Sequence, residues 1–349
     1  MPDSPPDIPR EYTPQAETEG PLLRVCNLTK HFELREPGLF GRVTGTVQAV
    51  TDVSFEIHRG ETFAIVGESG CGKSTLAKTI ATIYPADFGE VWFSGNRLAD
   101  ISTGDLKSTR RRVQMIFQDP FGSLNPRMTA AEIIAEPLVI HAMGDKVEQR
   151  QRTREVAEAV GLDTGDLNRY PHQFSGGQRQ RIAIARAIAP KPKLVIADEP
   201  LSALDVSIQS QILNLMVALQ HRENLTYFFI SHDLAAVRHV AGRVAVMYLG
   251  RIVEMADTEA LFADARHPYT QALIAALPEI GHGKKRRAAA PAGDVPSPLA
   301  PPPGCPFHPR CPKAQDLCRV ERPELATVKK ARKGHLAACH FSDPEKPQE

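Results

Sequence analysis

Nine residues, Gly67 to Thr75, read GESGCGKST. They follow the apolar run Phe63–Ala64–Ile65–Val66 and precede Leu76, Ala77, Ile80 and Ile83, which share helical spacing. Strand, glycine-rich turn and helix in that order are the context a phosphate-binding loop requires. Gly67, Gly70 and Gly72 let the backbone curl until successive N–H groups face one anion, and the helix behind points its positive end at the same spot. Ser69 and Cys71 complete the curl. Lys73 would reach the β- and γ-phosphates, Ser74 would ligate Mg²⁺, and Thr75 would sit near the α-phosphate. An ordinary glycine-rich turn is the plainer alternative.

Other polar residues stand where strands should end. Val113–Phe117 delivers Gln118, and Asp119–Pro120 and Asn125–Pro126 force a non-helical exit behind it. An amide there can reach Mg²⁺ or an attacking water, which makes Gln118 a candidate sensor. Leu194–Ala197 reads as a buried strand ending in Asp198 and Glu199. Acids so placed suit a Mg²⁺ ligand acting through water (Asp198) and a polariser of the attacking water (Glu199). As a helix-capping pair, two adjacent carboxylates would gain little and repel each other. His232 follows Tyr227–Ile230 and emerges at the same edge, where doubly wound sheets gather their ligands. Ser175, Gly176, Gly177 and Gln178 open a helix from Arg179 to Ala189. Ser175 suits an N-cap and two glycines permit close approach of phosphate, although a plain capped helix fits equally well. Phe32, well upstream, could stack on adenine or serve as a core aromatic.

One sizeable body must hold these groups. The chain has 349 residues, 42% hydrophobic and 24% charged, as expected of one large domain with an appendage. Lys and Arg total 42 against 41 Asp and Glu, a net charge of +1. No overall field attracts nucleic acid or anionic membrane, and no nucleic-acid partner is expected. No apolar stretch approaches the roughly 20 residues of a membrane span, and no signal peptide opens the chain. The expected location is cytoplasmic, with any membrane role exerted through partners. Residues 1–20 read as a disordered tail. Leu22–Cys26 and Val47–Ile57 read as strands separated by the excursion Leu34–Gly45, either a docking loop or a solvated hairpin tip. Gly89–Phe93 and Val244–Tyr248 add strands, the latter closing the run. Ala130–His141 and Val147–Val160 have helical periodicity, suggesting a helical subdomain over about 120–190.

Together, GESGCGKST, Gln118, SGGQ at Ser175–Gln178, LVIADE at Leu194–Glu199, SALD at Ser202–Asp205 and His232 resemble an ABC-transporter ATP-binding subunit, over Leu22 to about Ala276. SLNPRMT, YPHQFSGGQRQRIAIARA, HPYTQAL at His267–Leu273, and DVPSPL with GCPFHPRCP resemble the peptide and nickel importer branch. The GLFGR insert is similar to the second of the two ATPases such importers use. The resemblance implies an α/β P-loop fold with a mixed sheet core, an ATP-binding domain over 21–280 and a small cysteine-bearing module over 281–349. It implies an ATPase that works as a dimer, with Ser175, Gly176, Gly177 and Gln178 closing in trans over the ATP of the other subunit. Phe32 would then serve adenine, Ser74, Gln118 and Asp198 would hold Mg²⁺, and Glu199, His232 and Gln118 would be catalytic. Implied partners are a second ABC ATPase subunit, two membrane permeases and a periplasmic or extracellular solute-binding protein, assembled at the cytoplasmic face of the inner membrane to import peptides or related solutes. Soluble ABC ATPases of nucleic-acid or translation work join two cassettes or carry a long coiled coil, and neither is present.

After Ala276 come the basic run Lys284–Arg287 and a proline-rich stretch, with nine of the 29 prolines between Pro291 and Pro312. Such composition suggests an extended strap without its own core. Cys305, Cys311, Cys318 and, after 20 intervening residues, Cys339 suggest a metal staple in a reducing compartment, where disulfides are rare. The spacing is not that of a paired-CxxC zinc ribbon; a Cys₄ iron–sulfur site is compatible, and four free or oxidised cysteines are the alternative. The resemblance implies a [4Fe–4S] cluster on these four.

Overall fold

Short runs such as TFAIV, LVIAD and TYFFIS are too brief for helices and rich in β-branched and aromatic residues. They become strands with every residue buried. The computed structural model describes residues 20–36, 42–100, 103–202, 204–277, 293–329, 331–332 and 334–342. Within these, β1 (Leu23–Arg35), β2 (Val43–Ile57), β4 (Phe88–Phe93) and β5 (Asn96–Arg97) form an antiparallel sheet in the order β2-β1-β4-β5. The second sheet contains β3 (Thr62–Val66), β6 (Val113–Ile116), β7 (Leu194–Asp198), β8 (Thr226–Ser231), β9 (Arg243–Tyr248), β10 (Arg251–Asp257), β11 (Ala326–Thr327) and β12 (Leu336–Ala337). Its order is β11-β12-β10-β9-β3-β8-β7-β6, parallel from β9 to β6 and antiparallel beyond. The sheet core is therefore mixed, as expected.

Side chains alternate across a strand, and the two faces of this sheet feed two cores. Phe63, Ile65, Ile196, Phe228 and Ile230 join Leu76, Ala77 and Ile80 of the helix Lys73–Ile80 and the inner face of the antiparallel sheet. Ala64, Val66, Val195, Ala197, Tyr227 and Phe229 pack instead against the helices Ala130–Ile140, Lys146–Ala159 and Gly176–Ile188. The parallel strands are thus covered on both sides, which fits their unbroken hydrophobicity. Ile83 is exposed and lies past the end of its helix, at variance with the expected spacing.

Three further expectations need correction. The strands do not stop at the excursion Leu34–Gly45: Leu34 pairs with Gly45 and Arg35 with Val43, so β1 and β2 run into it, in keeping with the hairpin alternative. Its residues 37–41, the tail at 1–19 and the basic run Lys284–Arg287 lie outside the described residues. Val244–Tyr248 does not close the run of strands, because β10 and β12 follow; the buried Glu254 interrupts the apolar pattern of β10. Nor is the C-terminal segment a strap without a core. Phe307, Cys305 and Cys318 belong to the helix-side core, and the Phe307 ring meets those of Tyr248 and Tyr269 at 5.3 Å each. The Pro298 carbonyl also accepts the Gln48 N–H at 3.0 Å, tying this segment to β2.

Glu254 fastens the segment where it joins β10. One carboxylate oxygen accepts from Arg266 N–H at 2.6 Å and His335 Nε2 at 2.7 Å, and the other accepts from His267 N–H at 2.9 Å. His267 in turn takes the Tyr269 N–H on its Nδ1 at 3.1 Å, capping the helix Pro268–Ala275. Burial pushes the His267 imidazole down to about 4 from its ordinary 6.5, against the opposing pull of Glu254. Between those values the unfolded chain takes up a proton that the folded chain refuses, so this contribution is intact above about pH 6.5 and is lost on acidification towards 4. Urea midpoints measured from pH 7.5 down to 4.5 should fall with this slope, and His267→Asn, whose side-chain oxygen can accept the same N–H, should flatten it. An equally steep acid limb in the variant would remove His267 from this role.

Candidate active site

The ends of β3, β6, β7 and β8 lie side by side, and the chain leaves each at the same edge. After β3 it curls through Gly67–Gly72 into the helix Lys73–Ile80. Gly72 stands at φ 107°, and a Cβ there would lie 1.9 Å from the Ala49 carbonyl oxygen. Only glycine allows both the left-handed turn and this approach of β2. The adjoining Cys71 carbonyl accepts from Gly250 N–H at 2.8 Å, so the β9–β10 turn secures the curl as well. Lys73 Nζ donates to the Gly67 and Glu68 carbonyls at 2.8 and 3.0 Å, holding its charge over the loop. Gly70 and Ser69 are exposed at the tip, Cys71 is buried with its thiol pushed up by burial, and Thr75 is half-buried in the first helical turn.

Ser74 Oγ donates to Asp198 Oδ1 at 2.9 Å across the gap between the helix and β7. Burial pushes the Asp198 carboxyl above its usual range; the Ser74 hydrogen bond opposes this and Glu199 adds to it. A buried carboxyl gains most from a cation beside it, and the two side chains offer only oxygen, the donor a hard dication such as Mg²⁺ prefers. The pair fits that ion.

Glu199 gathers the remaining groups. Its Oε2 lies 3.2 Å from Gln118 Nε2 and 3.2 Å from His232 Nδ1, and its Oε1 lies 3.8 Å from Lys73 Nζ. Its backbone is left-handed, at φ 45°, a conformation that persists at functional sites because the surroundings enforce it. Here Glu199 N–H donates to the Ile230 carbonyl at 2.9 Å, and Ser202 Oγ donates to the Glu199 carbonyl at 3.1 Å. Four residues expected from sequence to act together, Lys73, Gln118, Glu199 and His232, are therefore brought together around one carboxylate.

Ser175 and Phe32 are not part of this cluster. Ser175 Oγ accepts from Gln178 N–H at 3.3 Å and Gln178 Oε1 accepts from Ser175 N–H at 3.0 Å, a reciprocal cap on the helix Gly176–Ile188. The cap is exposed, while Gly177 is buried against Ile208. Phe32 is half-buried, edge-on to Tyr84 at 5.4 Å, with Lys30 Nζ 5.2 Å from its ring.

Sequence reasoning overlooked two residues at the loop. Tyr269 Oη accepts the Glu68 N–H at 2.9 Å, and Arg310 clasps the Glu68 carboxylate. HPYTQAL and GCPFHPRCP, which contain them, marked the branch without revealing that they meet the phosphate-binding turn.

The iron–sulfur expectation is overturned. Cys305, Cys311, Cys318 and Cys339 are free thiols, and among the described residues no group of three or more Cys, His, Asp or Glu is arranged to hold a metal ion. The cavity they border has a volume of about 20 Å³, room for about one water. Burial pushes the Cys305 thiol up to about 11 and raises Cys311 and Cys339 as well. Cys305 and Cys318 serve as buried apolar residues.

A phosphate-binding turn, an adjacent Ser–Asp pair and a bracketed glutamate at one edge of a mixed sheet define a P-loop nucleotide hydrolase. Residues 50–202 match the family model described as ABC transporter, and residues 253–318 match that of the oligopeptide/dipeptide transporter C-terminal region. The chain is 48% identical over 330 residues to the oligopeptide transport ATP-binding protein AppF of Bacillus subtilis, covering 93% of this chain and 99% of that one. It is 45% identical to the dipeptide transport ATP-binding protein DppF of Escherichia coli, covering 96% and 99%. Among solved structures, the ATP-binding cassette MJ0796, a dimer bound to ADP and Pi, superposes with a TM-score of 0.60 at 30% identity, covering 68% of this chain and 98% of that one. The chain belongs to the peptide-class ABC-transporter ATP-binding proteins, and it is an ABC-type ATPase coupled to transport. Among the described residues no helix is long and apolar enough to cross a membrane.

The curl itself can be tested at Gly72. Gly72→Ala adds a Cβ against the Ala49 carbonyl at a φ that alanine avoids, so ATP affinity measured by titration should fall at least about tenfold while the far-ultraviolet spectrum stays unchanged.

Proposed function

We propose that this chain binds and hydrolyses ATP at the Gly67–Thr75 turn to energise peptide import, as one of two ATPase subunits on the cytoplasmic face of the cell membrane. The carrying observation is the Glu199 carboxylate, bracketed by Gln118, His232 and Lys73 beside the Ser74–Asp198 pair. The N–H groups of the turn and Lys73 hold the β- and γ-phosphates as charge-assisted hydrogen bonds. Ser74 and Asp198, with Gln118 nearby, hold Mg²⁺, which when bound neutralises charge building up on the phosphates. Glu199 orients and polarises the attacking water; His232 and Gln118, both within hydrogen-bond reach of it, fix its carboxylate and contact the γ-phosphate side. Phe32 presents its half-buried ring to adenine. Residues 21–280 form the ATP-binding domain, with the helices of about 120–190 as its helical part.

Ser175–Gln178 complete the site of a second subunit. Their helix opens at the exposed Ser175, and a helix N-terminus of this kind favours anions, the ligand here being the partner's phosphates. The partner is a second ATPase, and two permeases and a solute-binding protein finish the importer. Names of relatives that carry oligopeptide or dipeptide transport support peptides as cargo.

Glu199→Gln should keep ATP affinity within about twofold and reduce phosphate release by at least about a hundredfold, because the residue acts on water and not on nucleotide. Lys73→Ala should instead weaken binding itself. Near-normal hydrolysis by Glu199→Gln would remove it from the proposed role. For the pairing, Ser175→Arg in this chain should impair hydrolysis at the site whose phosphate-binding turn the second ATPase provides, and spare the other. Full-rate hydrolysis and transport by a complex containing this chain as the sole ATPase would overturn the heterodimer.

A further inference from the structure

Every polar group of Glu68, the second residue of the phosphate-binding turn, has a specific partner. Its N–H donates to Tyr269 Oη at 2.9 Å and its carbonyl accepts from Lys73 Nζ at 3.0 Å. Its carboxylate accepts two parallel bonds from Arg310, Nη1 to Oε2 at 2.8 Å and Nη2 to Oε1 at 3.1 Å. A bidentate pair of this kind fixes orientation as well as distance. Arg310 and Tyr269 both lie in residues 253–318, the segment matching the oligopeptide/dipeptide C-terminal region, and outside the 50–202 match to the general cassette.

Arg310 is itself firmly held. Its side chain is 7% exposed, and its guanidinium lies 5.9 Å from the Tyr248 ring and 6.0 Å from the Phe307 ring. It closes the turn His308–Arg310, whose base is set by Cys305 N–H donating to the Cys318 carbonyl at 2.8 Å. Gly304 permits that approach, since a Cβ there would lie 2.4 Å from the same carbonyl oxygen. Exposed ion pairs contribute little, but removing one partner of a mostly buried pair leaves the other charge uncompensated. Here the uncompensated group would be a carboxylate on the loop that must receive phosphates.

We propose that Arg310 is a positioning residue of the ATP site, by which the C-terminal region holds the phosphate-binding turn in its binding shape. The inference rests on the nucleotide-binding role proposed for that turn. Arg310 touches no reacting group, so its loss acts on nucleotide binding and leaves the chemical step alone.

The test uses the full chain, with Mg–ATP competing against a trinitrophenyl-ATP probe, and steady-state hydrolysis in the assembled transporter. Arg310→Ala should weaken Mg–ATP about tenfold and raise KM with kcat within about twofold, and Arg310→Lys should recover part of the loss. Arg310→Ala combined with Glu68→Ala should lose no more than Arg310→Ala alone, because the two act as one contact. A folded Arg310→Ala chain with unchanged affinity, or losses that multiply in the double variant, would overturn the proposal. Should Arg310→Ala not fold, Glu68→Gln decides, since it keeps the side chain's size and removes only the charge that Arg310 grips: lower affinity supports the clamp and unchanged affinity overturns it. Lys73→Ala separates the two levels. If that variant binds ATP normally, the ATP-site reading has failed; if it does not while Arg310→Ala binds normally, only the clamp has.

Discussion

A phosphate-binding turn must keep a row of backbone N–H groups free of the sheet and helix ladders and yet hold them still. Unpaired amides favour neither outcome by themselves, so the turn has to be fixed through its other atoms. In this protein the fixing is done from several directions. β2 presses its Ala49 carbonyl against Gly72, the β9–β10 turn takes the Cys71 carbonyl, and Lys73 takes the Gly67 and Glu68 carbonyls. Tyr269 and Arg310 arrive from far along the chain to take the Glu68 N–H and carboxylate. Much of the architecture can be understood as what is needed to bring those groups to one place.

The sheet supplies the other half of the site. Parallel strands β6, β7 and β8 end together, so Gln118, Asp198, Glu199 and His232 converge although up to 114 positions separate them in sequence (232 − 118). The strain at Glu199 is sustained because its N–H continues the pairing towards β8 and its carbonyl is taken by Ser202. With the backbone so constrained, Gln118, His232 and Lys73 are what set the direction of the carboxylate. In the proposed cycle that rigidity matters, because the same oxygen must meet a water whose approach is set by phosphates held on the turn.

Local chemistry was the most legible part of the sequence. Gly67–Thr75, Asp198, Glu199 and His232 were readable because their placement at one sheet edge follows from residue type and from the strand immediately before them. Contacts made by distant residues were not. Arg310 sits in a proline-rich segment whose composition suggested a strap, and only the burial of Phe307 and Cys305 shows it packed into the helix-side core. β10 was hidden by Glu254, a charge in mid-strand that is tolerated because Arg266, His267 and His335 satisfy it. The cysteines misled for a related reason. Spacing alone cannot distinguish thiols that ligate from thiols that fill space, and here burial and a cavity of about 20 Å³ favour packing.

The dependence of the turn on groups outside the general cassette can be measured at a single proton. Tyr269→Phe removes one oxygen from a buried ring and leaves its packing against Tyr248 and Phe307 in place. Amide hydrogen exchange of the full chain without nucleotide should show Glu68 N–H protected in the parent and exchanging at least about tenfold faster in the variant, with β3 and β8 amides unchanged. Equal protection of Glu68 in both proteins would mean that the turn holds its own shape, contrary to the dependence inferred here.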